Sequence, residues 1–186
     1  MTDPFASRFG TWRGALRLGL AYAEVVSGQA AIVRPDPAHV RRLVFVCHGN
    51  ICRSAYADGL ARRAGMNVAS FGLSTSSGMA AWPLVQERAL ARGLDLSDHR
   101  TNRIEDYFPL PGDYLLGMET RHLRKLATNH KTADLPRGLL GSYANPPVPH
   151  LHDPYQLDPA YMQVCLARIE RAVAGLVIRY PAATAV

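Results

Sequence analysis

The sequence lacks any apolar run approaching the roughly 18 residues of a bilayer-spanning helix, which argues against a helical membrane protein. Its first residues, Met1-Thr2-Asp3-Pro4, lack the basic head and apolar stretch of a secretory signal. Three cysteines, an odd number without framework spacing, do not make a disulfide-stapled secreted fold. A reducing cytoplasm is the expected compartment. Lysine is nearly missing: of 21 basic residues only Lys125 and Lys131 are lysines. The net charge of +6 is therefore carried by arginine, whose planar fork suits phosphate and carboxylate. These residues are scattered and no recognition motif accompanies them, which argues against nucleic acid as the partner. Internal repeats and low-complexity tracts are also absent. What is present, 186 residues with 48% hydrophobic and 19% charged, suits one folded domain with a full core.

Residues 1–40 read as an N-terminal extension. Thr11 is placed to cap a helix from Trp12 to about Val26, stopped by Gly28. Phe9, Trp12, Leu16 and Leu20 fall on one side of it, flanked by Arg13 and Arg17. Two readings stay open: a basic amphipathic helix that contacts a membrane surface or a partner, or an extension packed on its own domain. Arg34-Pro35-Asp36-Pro37 reads as a linker.

From residue 41 strands and helices alternate. Leu43-Val44-Phe45-Val46 is a short continuous apolar run, the mark of a parallel strand buried on both faces. A helix is expected from Ser54 to about Ala64, a strand at 67–70, a helix from Leu84 to Arg92, and a strand at 113–117. A helix from Glu119 to about Thr128, a strand at 138–140, and a last helix capped by Asp158 complete the pattern. This predicts an α/β fold, a four-stranded parallel sheet with helices on both faces, with ligands at the carboxyl end of the first strand.

Just there stands Cys47-His48-Gly49-Asn50-Ile51-Cys52-Arg53-Ser54. A cysteine, five residues, an arginine and a serine between strand and helix form a phosphate-binding loop. Backbone N–H groups turned inward and the helix N-terminus favour an anion, and the same field favours thiolate over thiol. Gly49 and Asn50 are residue types that tolerate left-handed backbone. Cys47 is thus the candidate nucleophile and Arg53 the clamp on phosphoryl oxygens. The Ser54 hydroxyl is placed to donate to the Cys47 sulfur as it departs. Far downstream, Asp153 could protonate a leaving tyrosyl oxygen and then activate water, with Pro154 limiting its backbone and Tyr155 stacking on the substrate ring. The chain has three further Asp-Pro pairs, Asp3-Pro4, Asp36-Pro37 and Asp158-Pro159. Position before the last helix and the following aromatic single out Asp153.

Together these residues resemble the low-molecular-weight protein tyrosine phosphatases of bacterial type, over about residues 41–180. The resemblance rests on Val46 to Ser54 and on Asp153-Pro154-Tyr155, with weaker echoes at Ser70, His99 and Asp113 to Glu119, where the family usually ends in Met-Asp. It implies that residues 41–186 are the phosphatase domain, and that phosphotyrosine is hydrolysed through a phosphocysteine without metal or cofactor. Cys47 would be the nucleophile, Arg53 the clamp and Asp153 the general acid. Asn50, Ser54, Ser70 and His99 would form the network holding the loop. It also implies a phosphotyrosine protein as partner, with a bacterial tyrosine kinase of polysaccharide assembly the candidate.

Several residues depart from the family pattern. His48 replaces a small or aliphatic residue, Ala55 a proline, Ser76 an aromatic, and Gln156 a second tyrosine. Trp82 could supply the missing aromatic wall or sit in the core. Cys52 could form a reversible disulfide with Cys47 under peroxide or simply pack the loop. Cys165 belongs to the last helix's apolar stripe. His122, His130, His150 and His152 lack metal-ligand spacing; His152, just before Asp153, could influence its acidity, but reads first as an exposed loop histidine. Arsenate reductase on the same fold would need relay cysteines between Cys52 and Cys165, and none is there. Relatives that hydrolyse phosphoarginine place threonine where Ile51 stands. A non-catalytic phosphoprotein-binding module would not need Cys47, Arg53 and Asp153 together.

Overall fold

The computed structural model describes residues 3–184. Four parallel strands, β1 (Arg42–Cys47), β2 (Val68–Gly72), β3 (Asp113–Gly117) and β4 (Arg137–Leu139), lie in the order β2-β1-β3-β4. Side chains alternate across a strand, so β1 feeds two cores. Leu43 and Phe45 join one, with α3 (Arg53–Arg63), α4 (Pro83–Leu90) and α6 (Pro159–Arg179). Val44 and Val46 join the other, with α5 (Thr120–Thr128). All four side chains are fully buried, each contributing about 1.5–3 kcal/mol of apolar transfer. The chain leaves β1 for β2 on one side and returns to β3 on the other. That reversal opens a crevice at the carboxyl end of β1, where Cys47 stands.

The extension folds as α1 (Pro4–Phe9) and α2 (Trp12–Val26), with Thr11 capping α2 through its hydroxyl to the Gly14 N–H at 3.1 Å. Three details correct the sequence reading. Phe9 ends α1, a helix the sequence did not announce, and is not on α2. Gly10, at φ 76°, makes the sharp turn between them, a backbone only glycine adopts without strain. The extension does pack on its own domain, but through the opposite side of α2. Gly14 and Ala21 are buried and Leu18 and Val25 meet the cores, while Trp12, Leu16 and Leu20 are 63%, 53% and 53% exposed. The linker is also anchored. Val33 pairs antiparallel with Arg137 of β4, and Asp36 caps a short 3-10 turn at 37–39. Among the described residues no helix is long and apolar enough to cross a membrane.

Candidate active site

The strand delivers Cys47 to the loop mouth, and the loop turns back on its sulfur. The Asn50 N–H donates to Cys47 Sγ at 3.1 Å, and Ser54 Oγ lies 2.9 Å from the same sulfur. Asn50 makes this turn at φ 54°, in the left-handed region, whereas Gly49 does not. Gly49 is thus not the residue that needs conformational freedom. The Asn50 side chain then locks the loop. Its Nδ2 donates to Ser54 Oγ at 2.9 Å and to Ser70 Oγ at 3.1 Å, and its Oδ1 accepts the Asn102 N–H. His99 Nε2 meets the Asn50 carbonyl at 2.8 Å, and burial holds that ring below the usual histidine range. Because Ser54 Oγ accepts from Asn50, its single hydrogen is free to point at Cys47. Gly72 lets the loop come close to β2: a Cβ there would lie 3.0 Å from the His48 carbonyl oxygen.

Arg53 opens α3 and is wholly buried. Burial opposes its charge, but Asp153, Glu119 and Cys47 more than offset that and hold it cationic. Its two ends are held differently. Nη1 donates to Glu119 Oε1 at 2.6 Å and to the Leu151 carbonyl at 2.8 Å, while Nη2 pairs with Asp153 Oδ2 at 2.6 Å. Nε is buried without a partner among the described residues. One end is therefore fixed through Glu119 and Leu151, and the Nε/Nη2 edge can make a planar, two-oxygen contact once Asp153 gives up Nη2. Burial alone would raise the Glu119 carboxyl; Arg53, with Arg121, instead holds it well below the usual carboxylate range. Burial also pushes His150, behind Glu119, down to about 4.

A cavity of about 300 Å³ joins these groups. Cys47, His48, Gly49, Ile51, Cys52 and Arg53 form its floor, and Ser74 to Ser76, Met79, Asp153 and Tyr155 its walls. Trp82 is not in the wall. It lies partly buried behind Tyr155, edge-on at 5.0 Å, so it braces the aromatic that faces the cavity. Cys52 is buried, which pushes its thiol well up, and it is a free cysteine beside the nucleophile candidate. Cys165 is core, as its helical spacing indicates, and burial raises its thiol to about 12. His152 is not the exposed loop histidine of the sequence reading: its ring stacks on His150 and packs against the extension. The sequence reading also missed the role of Glu119 and the Leu151 carbonyl. The signals available were the family echo ending at Glu119 and an acid two residues past the end of β3, at the same sheet end as Cys47.

The family model for low molecular weight phosphotyrosine protein phosphatases matches residues 42–184. The chain belongs to this family. It is an enzyme of the phosphatase class, and the extension lies outside the matched region. A probable low molecular weight protein-tyrosine-phosphatase, EpsP of Ralstonia solanacearum, is 32% identical over 145 residues, 75% of this chain and 96% of that one. The tyrosine phosphatase AmsI of Erwinia amylovora has a similar structure, with a TM-score of 0.65 at 25% identity over 78% of this chain and 97% of that one. The YwlE arginine phosphatase of Geobacillus stearothermophilus shares the fold at 20% identity, with a TM-score of 0.64 over 74% and 91%.

Proposed function

We propose that this phosphatase hydrolyses phosphotyrosine in proteins through a phosphocysteine at Cys47. The observation that carries this is the convergence on one cavity of Cys47 Sγ, the Nε/Nη2 edge of Arg53 and the Asp153 carboxylate paired with it, with Tyr155 at the rim. A phosphoryl group entering the loop takes the Nε/Nη2 edge and displaces Asp153 from Arg53. A carboxylate brought beside a phosphoryl dianion favours its protonated form, because like charges disfavour ionisation. The Cys47 thiolate attacks phosphorus as the bond to the tyrosyl oxygen breaks, and Asp153 gives its proton to that oxygen. Water then attacks the phosphocysteine and passes its proton to Asp153. The P–S bond breaks, and the departing thiolate is stabilised by the Ser54 hydroxyl and the Asn50 N–H. Ser70 and His99 serve by holding Asn50. Turnover of phosphotyrosine, phosphoserine and phosphoarginine peptides tests this specificity. Phosphotyrosine should lead by at least about tenfold in kcat/KM; preference for phosphoarginine would move the chain to that other chemistry.

Residues 41–186 carry the reaction, and a reducing cytoplasm keeps Cys47 free to perform it. A bacterial tyrosine kinase of polysaccharide assembly is the candidate protein substrate, on the family resemblance. The outward side of α2 supports contact with an anionic membrane surface. Trp12, Leu16 and Leu20 form an exposed apolar stripe beside Arg13 and Arg17, and Leu20 and Arg17 border Arg121 and Arg124. The intact protein should sediment with anionic vesicles, less so at high salt. Trp12→Glu with Leu16→Glu, both on the exposed side, should stay in the supernatant. Equal behaviour of the two proteins removes the membrane contact.

A further inference from the structure

The segment that brings Asp153 to the site is gripped on both sides. Toward the cavity, Arg53 binds the Leu151 carbonyl and the Asp153 carboxylate. Away from it, the intervening residue, His152, turns its ring into the elbow between α1 and α2. His152 Nε2 lies 3.2 Å from the Thr11 hydroxyl, the group that also caps α2. The elbow fits the ring closely: a Cβ on Gly14 would lie 2.8 Å from His152 Cδ2, and one on Gly10 3.0 Å. The Tyr161 hydroxyl holds the His152 carbonyl at 3.2 Å from α6. The elbow is itself tied to α6, where Arg168 Nη2 donates to the Arg8 carbonyl at 2.9 Å.

The proton on the ring can be assigned. Burial, with Arg53 and Arg17 nearby, keeps His152 below the usual histidine range, against the pull of Glu119 and Asp153. The neutral ring has one N–H. Its Nδ1 is buried without a partner among the described residues. A buried N–H left unpaired is rarer than a bare acceptor, so the proton sits on Nε2 and is donated to Thr11 Oγ1. Removing that oxygen would strand the N–H, and the ring would turn to find water. Asp153 is one peptide unit away. Since a misplacement of about 1 Å at a reacting group can cost up to ~10²-fold, a small shift there is enough to matter.

Resting on Asp153 as the general acid, we propose that Thr11 of the extension is a positioning residue that, through His152, holds Asp153 at the leaving oxygen. The extension lies outside the 42–184 family match, so Thr11 is not part of the matched region. Glycine at 14 leaves room for both the Phe9 carbonyl, 2.2 Å from where a Cβ would lie, and the His152 ring.

The test measures kcat and KM with a phosphotyrosine peptide and with dinitrophenyl phosphate, whose leaving group needs no acid. Four full-length proteins are compared: Thr11→Val, Thr11→Ser, Asp153→Asn, and Thr11→Val with Asp153→Asn. Thr11→Val should lose about tenfold in kcat on phosphotyrosine and stay within about twofold on the activated ester. Its turnover of that ester also shows that it is folded. Thr11→Ser should restore the phosphotyrosine rate. With Asp153→Asn already present, Thr11→Val should cost nothing further, because the group it positions is gone. Loss of a helix cap alone would lower the melting temperature without changing the ratio of the two substrates, and that result overturns the proposal. So does an added loss in the double variant. A strong Asp153→Asn effect beside an inert Thr11→Val sinks only the link through His152. An inert Asp153→Asn sinks the acid assignment itself.

Discussion

Cys47→Ser is expected to bring phosphotyrosine turnover below about a thousandth of wild type. On the proposed mechanism the Cys47 sulfur is the nucleophile, and a serine oxygen is a much poorer one at neutral pH. Apart from the contacts of the Asn50 N–H and the Ser54 hydroxyl with the sulfur, the loop is held by other groups. Asn50 is held by Ser54, Ser70, His99 and the Asn102 N–H, and Arg53 by Glu119 and Leu151. The variant should therefore still bind a phosphotyrosine peptide within about tenfold of wild type, measured by calorimetry. Turnover above that thousandth would contradict the covalent route.

Asp153→Asn should slow phosphotyrosine hydrolysis by roughly 10²–10⁴-fold, the usual worth of acid–base help. The asparagine is nearly isosteric and can still face Arg53, so the loss reports the proton and not the packing. A general acid matters in proportion to how poor the leaving group is. A phenol with a pKa near 10 needs protonation, and a nitrophenol needs it much less. The variant's rates across aryl phosphates should accordingly depend more steeply on leaving-group pKa. If phosphotyrosine turnover stays within a few-fold of wild type, the role moves to another carboxylate. Asp158 would be examined first, although its side chain caps α6 through the Ala160 N–H at 2.7 Å.

The parts legible in the sequence were those written in local pattern. The apolar run at 43–46 announces a buried strand, β3 was placed at its observed bounds, and Thr11 at the cap of α2. The loop was legible because a Cys-x5-Arg-Ser spacing between strand and helix has few other uses. What escaped is what distant segments contribute. Glu119 and the Leu151 carbonyl reach Arg53 from 66 and 98 residues away, and no spacing rule joins them. α1 escaped because six residues make too short a pattern, and its stability comes from docking on α6. The docked side of α2 was misread for a physical reason. The largest apolar residues usually mark the buried side, but here the docked side is Gly14, Leu18, Ala21 and Val25, with Gly14 fitting against the Phe9 carbonyl and the His152 ring. Trp12, Leu16 and Leu20 are left facing out.

The central claim is that phosphate passes through the Cys47 sulfur. The most direct measurement is an acid quench of wild-type protein during turnover of a phosphotyrosine peptide, followed by peptide mass spectrometry. The account predicts a phosphoryl group on Cys47, accumulating with turnover and absent from Cys47→Ser at the level of a sulfur adduct. A phosphoryl group found on another residue, or full turnover by a protein whose Cys47 has been alkylated, would contradict it.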